Sequence, residues 1–219
     1  MASKHSSFVV IGLGAFGSTV AHDLSRFGHH VTGIDISERA VSGIADKIDR
    51  TMILDARDDQ ALREAGIDIC DVGVVAIADD IEASILATIT LKTLGIGKIW
   101  AKAASKNHHR ILSRLGVDRV VYPEKEVGQH IAQMLHNPMV RDYVSLGNGQ
   151  HVVNFRVPEK LQDCTLSELS YGKHDLRCIG VLRGTKFLGH EGSGITLEED
   201  DLLLLLGERD DLRDFTGSL

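Results

Sequence analysis

Three glycines and one aspartate carry the clearest chemical signal in this chain. Gly12, Gly14 and Gly17 follow the apolar run Phe8-Val9-Val10-Ile11, and Asp35 closes a second apolar segment, Val31-Thr32-Gly33-Ile34. Each residue type has its own task. Gly12 permits the tight turn off a strand, Gly14 lets backbone approach a diphosphate, and Gly17 allows a helix to pack closely on that strand. The N-terminus of such a helix offers unpaired N–H groups and about half a positive charge, which favours a phosphate. Asp35, at the tip of the second strand, has the geometry to accept hydrogen bonds from ribose hydroxyls. Glycines at this spacing also serve ordinary turns. The strand before them, the helix after them and the acid beyond point to nucleotide binding.

A catalytic group is harder to find. No GxSxG, HExxH or GxxxxGK[ST] pattern occurs, and Tyr122, Tyr143 and Tyr171 lack a lysine four residues on. His29-His30 and His108-His109 are adjacent pairs whose side chains point apart, so they read as solvated histidines rather than chelators. His174 and Arg177 are of the types with which some dehydrogenases polarise a carbonyl, but no substrate-domain core surrounds them. Two function classes therefore remain: a ligand-gated regulator without catalysis, and an NAD-dependent oxidoreductase, since a dinucleotide fold hosts both. Turnover of bound NADH with hydroxy or keto acids separates them.

The elements that must hold these residues follow from periodicity. Strands read at 8–11, 30–34, 51–54, 72–78, 98–101 and 119–122, separated by helical stretches such as the one that aligns Ile81, Ile85, Leu86 and Ile89. Short aliphatic strands alternating with helices mean βαβ crossovers and a parallel sheet covered on both faces. This is an α/β, Rossmann-like, doubly wound domain over residues 1–123. Gly28, Gly66, Gly95 and Gly116 fall where its helices end. A further helix reads from Glu124 to His136, stopped by Pro138, and its face of Val127, Ile131, Met134 and Leu135 has no seventh strand to cover. It packs either on its own domain or on a partner subunit. Residues 124–148 thus form a crossover helix and hinge, and 149–219 a small α+β module with strands near 153–157, 176–183, 185–189 and 202–206 and short helices near 165–171 and 209–215. The acids from Glu198 to Asp214 read as a solvated face.

Bulk properties narrow the setting. The chain has 219 residues and a net charge of −7, which works against a nucleic-acid polymer as partner. The odd count of cysteines, Cys70, Cys164 and Cys178, argues against a disulfide framework and for a reducing cytoplasm. Leu202 to Leu206 is the longest aliphatic run, far below the roughly 20 residues of a membrane span. No leader pattern opens the sequence, so a soluble cytoplasmic protein is expected.

In this arrangement the chain resembles the RCK (regulator of K⁺ conductance) family, and within it the cytosolic regulatory subunits of Ktr/Trk potassium transporters. The likeness rests on Val9-Val10-Ile11-Gly12-Leu13-Gly14-Ala15-Phe16-Gly17, on Val75-Ala76-Ile77-Ala78 followed by Ile81-Glu82-Ala83-Ser84-Ile85-Leu86, on Ile99-Trp100-Ala101-Lys102-Ala103, and on Leu115-Gly116-Val117-Asp118-Arg119-Val120-Val121-Tyr122-Pro123-Glu124-Lys125. It implies an RCK_N domain, a crossover helix by which two subunits embrace, and an RCK_C domain.

The resemblance also assigns residues. Gly12, Gly14, Phe16 and Gly17 would line the phosphates, Asp35 would hold the ribose, and Asp55, Ala56 and Arg57 would lie beside the adenine, with Ala78 and Asp79; Ala15 and Ile36 belong to the same nucleotide-binding set. Lys102 and Ala103 would complete the mouth. Glu124 would face the nucleotides of a dimer and help hold Mg²⁺, Ca²⁺ or Na⁺. The implied ligands are ATP and ADP, or NAD(H). The implied assembly is a homodimer extended to an octameric ring under a membrane-embedded K⁺-translocating subunit, at the inner face of the cell membrane. Ala15 departs from the family, which commonly carries there an arginine that reaches a γ-phosphate. In several relatives the C-terminal module binds cyclic di-AMP; here Lys173, His174, Arg177 and Ile179 would face it, and the same residues read equally well as an ordinary strand and loop.

Overall fold

The computed structural model describes residues 5–137, 139–190 and 194–218. It divides into two compact units, Met1–Glu124 and Lys125–Leu219. In the first, six strands form one sheet: β1 (Ser7–Ile11), β2 (His30–Asp35), β3 (Arg50–Ile53), β4 (Val72–Val75), β5 (Lys98–Lys102) and β6 (Arg119–Val121). Their order is β3-β2-β1-β4-β5-β6, and every pairing is parallel. The strands are connected through helices α1 (Ala15–Arg26), α2 (Glu38–Ser42), α3 (Asp59–Glu64), α4 (Ile81–Thr93) and α5 (Lys106–Arg114).

Alternation along β1 explains the two layers of core. Val9 and Ile11 pack with Leu62, Leu91 and Leu112 on one face. Val10 joins Leu13, Ala21 and Ile44 on the other. Both faces of β1 are therefore apolar, which is why it reads as an unbroken aliphatic run. Gly28, Gly66, Gly95 and Gly116 hold positive φ just past their helices, as their positions predict.

Two expectations for this unit are corrected. The Ile81, Leu86 and Ile89 stripe of α4 is exposed, and Ser84, Ala87, Thr88 and Leu91 are the buried face. Apolar residues occur on more than one face of this helix, so periodicity alone does not choose between them, and the smaller residues are the ones that let it approach the sheet. His108 is 1% exposed rather than solvated. Its Nδ1 accepts the Ala104 N–H at 3.2 Å, and burial lowers its pKa.

The second unit is built on an antiparallel sheet of β7 (Val140–Gly147), β8 (Gln150–Arg156), β9 (Arg177–Arg183), β10 (Lys186–Gly189) and β11 (Leu202–Glu208), in the order β10-β9-β11-β8-β7. Helix α7 (Arg209–Ser218) packs its Leu212 and Phe215 into the core with Phe155, Leu203 and Leu205. Residues 140–147, expected within a hinge, are a strand paired with β8. A register shift between Val140 and Asp142 breaks its alternation, which hides it from a period-2 reading. Asn148-Gly149 makes the hairpin turn, both at positive φ.

The acidic run is not wholly solvated. Asp201 is 1% exposed and accepts two hydrogen bonds from Arg183, each 2.8 Å long. Arg183 also reaches Glu198 at 2.6 Å, and Asp200 pairs with Arg156.

Helix α6 (Pro123–His136) has no buried residue. Val127, Ile131 and Leu135 are exposed, as an uncovered face requires. Pro138, expected to stop this helix, lies outside the described residues. No helix among the described residues is long and apolar enough to cross a membrane.

Candidate functional site

A cleft of about 450 Å³ opens at the carboxyl ends of the parallel strands, where open α/β sheets take their ligands. Its wall begins with the turn after β1. Gly12 has a φ of +92°, and a Cβ there would press on the Ala76 and Ile77 backbone at 3.0 Å. A Cβ on Gly17 would lie 1.8 Å from the Gly12 carbonyl oxygen. These two glycines are required by the fold. Gly14 is different: a Cβ there would meet no protein atom within 4 Å. The space over Gly14 is open, as a cradle for a ligand's phosphates would be.

Gly14 also caps α1, and it offers no side chain to the helix's first N–H groups. Helices α2 to α5 are capped by Ser37, Asp58, Asp80 and Ser105 side chains. The α1 terminus is thus the one of the five left for an external acceptor.

Asp35 ends β2 and lines the cleft. Its Oδ2 accepts the Leu13 N–H at 2.7 Å, and its Oδ1 accepts the Ser37 N–H at 2.8 Å. A carboxylate has about four lone-pair sites, so ribose hydroxyls still find acceptors here. Asp55 and Arg57, past β3, lie across from it. The Arg57 Nη2 donates to Asp55 Oδ2 at 2.6 Å, and this guanidinium holds the Asp55 carboxyl below its usual range.

Lys102, the last residue of β5, is 8% exposed. Its Nζ lies 2.6 Å from Glu124 Oε1 and 5.6 Å from the centre of the Phe16 ring. Pairing with Lys102 holds the Glu124 carboxyl below its usual range.

Of the residues expected at the site, Gly12, Gly14, Ala15, Phe16, Asp35, Ile36, Asp55, Ala56, Arg57, Ala78, Asp79 and Lys102 line this one cleft. Three do not. Gly17 lies beneath the turn, Ala103 is fully buried, and Glu124 is reached through Lys102. Leu54, Ile77 and Asp80 also line the cleft and were not anticipated. Leu54 directly follows β3 and Ile77 lies two residues past β4, and both look like continuations of those strands; Asp80 carries the signal of an N-cap, which its bond from the Ala83 N–H confirms. No group of three His, Cys, Asp or Glu gathers for a metal among the described residues.

In the second unit His174 lies edge-on to Phe215, with ring centres 5.9 Å apart, and Arg177 pairs with Asp175 at 3.4 Å. Ile179 is exposed.

The TrkA-N domain family matches residues 8–123. Ktr system potassium uptake protein A of Bacillus subtilis is 32% identical over 213 residues, 97% of this chain and 96% of that protein. The chain belongs to the TrkA-N family of Ktr potassium uptake proteins. The Ktr system potassium uptake protein A of Vibrio alginolyticus is 31% identical over 220 residues, covering both chains fully. The fold is that of RCK domains: the GsuK RCK domain superposes with a TM-score of 0.66 at 14% identity over 97% of this chain, which spans 47% of that one. The GsuK channel bound to NAD gives a TM-score of 0.66 at 14% identity over 97% of this chain and 39% of that channel chain. The family and the sheet order agree on a Rossmann-like fold.

Proposed function

We propose that this chain is a nucleotide-responsive regulatory subunit of a potassium-uptake transporter, without catalysis of its own. The observation that carries the reading is the open cradle over Gly14, flanked by an uncapped helix terminus and by Asp35, in a family named for potassium uptake. The cleft takes ATP or ADP, or NAD(H). The NAD bound by the GsuK channel, a protein of the same fold, supports the dinucleotide alternative. The Asp35 carboxylate would face a 2′-phosphate, so NADP is disfavoured.

The subunit forms a homodimer through the exposed apolar face of α6. The Ile81, Leu86 and Ile89 stripe of α4 gives the first unit a second such face, which supports growth to an octameric ring. That ring sits in the cytoplasm against a membrane-embedded K⁺-translocating subunit. Glu124 and the phosphates of facing nucleotides share a Mg²⁺, Ca²⁺ or Na⁺ ion, because a carboxylate opposite phosphates is repelled unless a cation lies between. Cyclic di-AMP at Lys173, His174, Arg177 and Ile179 is a second effector within this reading.

Calorimetry of the full chain with ATP, ADP and NAD tests the ligand. K⁺ flux through the reconstituted membrane partner tests the gating. Nucleotide must bind one ring shape more tightly than the other to change flux. Ala15→Arg is expected to sharpen the preference for ATP over ADP, by restoring a charge near the terminal phosphate. Identical flux with ATP and ADP in both proteins would mean the γ-phosphate is not the signal and would leave NAD(H) as the ligand to pursue.

A further inference from the structure

Two cations line the cleft, Arg57 and Lys102. Arg57 is held by a bidentate pairing to Asp55, two residues before it, from Nε to Oδ1 and from Nη2 to Oδ2. Ala15 contributes no charge. The cation left for an incoming phosphate is Lys102, and it already has a partner in Glu124 at 2.6 Å. The two ends of that pair are unequal. The Lys102 side chain is 10% exposed and that of Glu124 is 58% exposed. A buried ammonium requires an acceptor, whereas a solvated carboxylate is content with water. Lys102 also lies beside the Phe16 ring in the phosphate turn, so its ammonium sits between the turn that would hold phosphates and the first turn of α6.

We propose that Lys102 is the phosphate-charge sensor of this cleft, exchanging Glu124 for a ligand phosphate when a nucleotide binds. The proposal rests on the nucleotide reading of the cleft. A terminal phosphate carries up to two negative charges against one on Glu124, and so wins the ammonium; the bridging phosphates of a dinucleotide carry one each and compete less well. The exchange leaves Glu124 without its counter-charge beside a newly anionic site. The first turn of α6 is then loosened, or Glu124 recruits an inorganic cation in place of the ammonium. Cation and nucleotide binding are linked through this one lysine. No atom is transferred; one ion pair is replaced by another.

The test uses the full chain in metal-free buffer. ATP, ADP and NAD are titrated by calorimetry into wild type, Glu124→Gln, Lys102→Gln and Lys102→Arg, and hydrogen exchange is followed over residues 123–128. Glu124→Gln frees the lysine in advance, so ADP and ATP should bind about threefold to tenfold more tightly than in wild type. Lys102→Gln should lose at least about tenfold for ADP and ATP and less for NAD, with Lys102→Arg recovering part of that loss. In wild type, ADP should raise exchange over 123–128, and in Glu124→Gln it should not. Unchanged or weaker ADP affinity in Glu124→Gln, with exchange indifferent to ligand in wild type, overturns the partner exchange while leaving the nucleotide site standing. Absence of saturable binding of all three nucleotides to wild type overturns the site itself, and the exchange with it.

Discussion

Asp35 and Leu13 are joined by a 2.7 Å hydrogen bond from the Leu13 N–H to Asp35 Oδ2. The acid proposed to read a ribose therefore also ties the tip of β2 to the glycine turn after β1. Its other oxygen takes the Ser37 N–H, at the start of α2. One carboxylate fixes both walls of the cleft before any ligand arrives, and this is preorganisation in the ordinary sense: less ordering is left to be done on binding.

Asp35→Ala is accordingly expected to weaken nucleotide binding and stability together. Losing the ribose bonds should cost on the order of 3 kcal/mol, over a hundredfold in affinity. Losing two bonds to backbone N–H groups should lower stability by about 1.5–3 kcal/mol. Calorimetry and urea unfolding measure the two effects separately. Retention of wild-type affinity for ATP, ADP and NAD would rule out the assigned ribose role.

Gly14 and Gly17 should separate in the same two assays. A side chain at Gly14 meets no protein atom, so Gly14→Val should fold normally and still lose nucleotide binding, because its methyl groups occupy the diphosphate's place. Gly17→Ala puts a Cβ against the Gly12 carbonyl oxygen, a backbone atom that cannot swing aside as a flexible side chain would. It should cost several kcal/mol, on the order of 3 or more, or prevent folding outright. A stable Gly17→Ala protein with an intact cleft would show that α1 has room to shift.

Which parts were legible in the sequence follows from what burial does to a pattern. The β1 and β4 strands feed apolar side chains into a core on each face, Val9, Ile11 and Val75 on one and Val10 and Val74 on the other, and such strands leave short aliphatic runs in the sequence. The lining of the cleft was legible because its residues sit at or shortly after the carboxyl ends of strands, as Asp35, Asp55, Ala78 and Lys102 do. The β7 strand was hidden by its bulge, and the buried face of α4 by its small and polar residues, Ser84, Ala87 and Thr88, opposite a more apolar exposed stripe. His108 was hidden because one buried imidazole leaves no periodic mark. Asp201 was masked by its acidic neighbours: a charge run looks solvated until one member is buried against a partner, as Asp201 is against Arg183.

The face of α6 makes a prediction about mass. Ile131 and Leu135 are exposed in the single chain, Leu135 at 78%, so replacing either with glutamate should alter the chain's own stability by no more than about 0.5 kcal/mol. If this face joins two subunits, the same changes bury a charge in an apolar contact and should dissociate them. Light scattering of wild type is expected to give a multiple of 23.9 kDa, and the double variant a smaller species with unchanged circular dichroism. A monomeric wild type at micromolar concentration would dispose of the dimer.

Asp201 predicts how the second unit responds to acid. Burial pushes its pKa up, but the Arg183 guanidinium and the Glu198 N–H outweigh that and hold it below the usual 3.8. In the unfolded chain the group returns to that ordinary value and binds its proton at higher pH than the folded chain does. The stability contributed by the pair is therefore fully present above pH 3.8 and is lost as pH falls through the lower, folded value. Thermal unfolding of the full chain, followed from pH 6 to about pH 2.5, should show one transition falling steeply below roughly pH 4. Asp201→Asn removes the titration at this site, so the mutant's transition should start lower at neutral pH and fall less steeply in acid. Parallel curves for the two proteins would mean that Asp201 is not held in its charged form by Arg183, and that the acid sensitivity of this unit arises from its surface carboxylates instead.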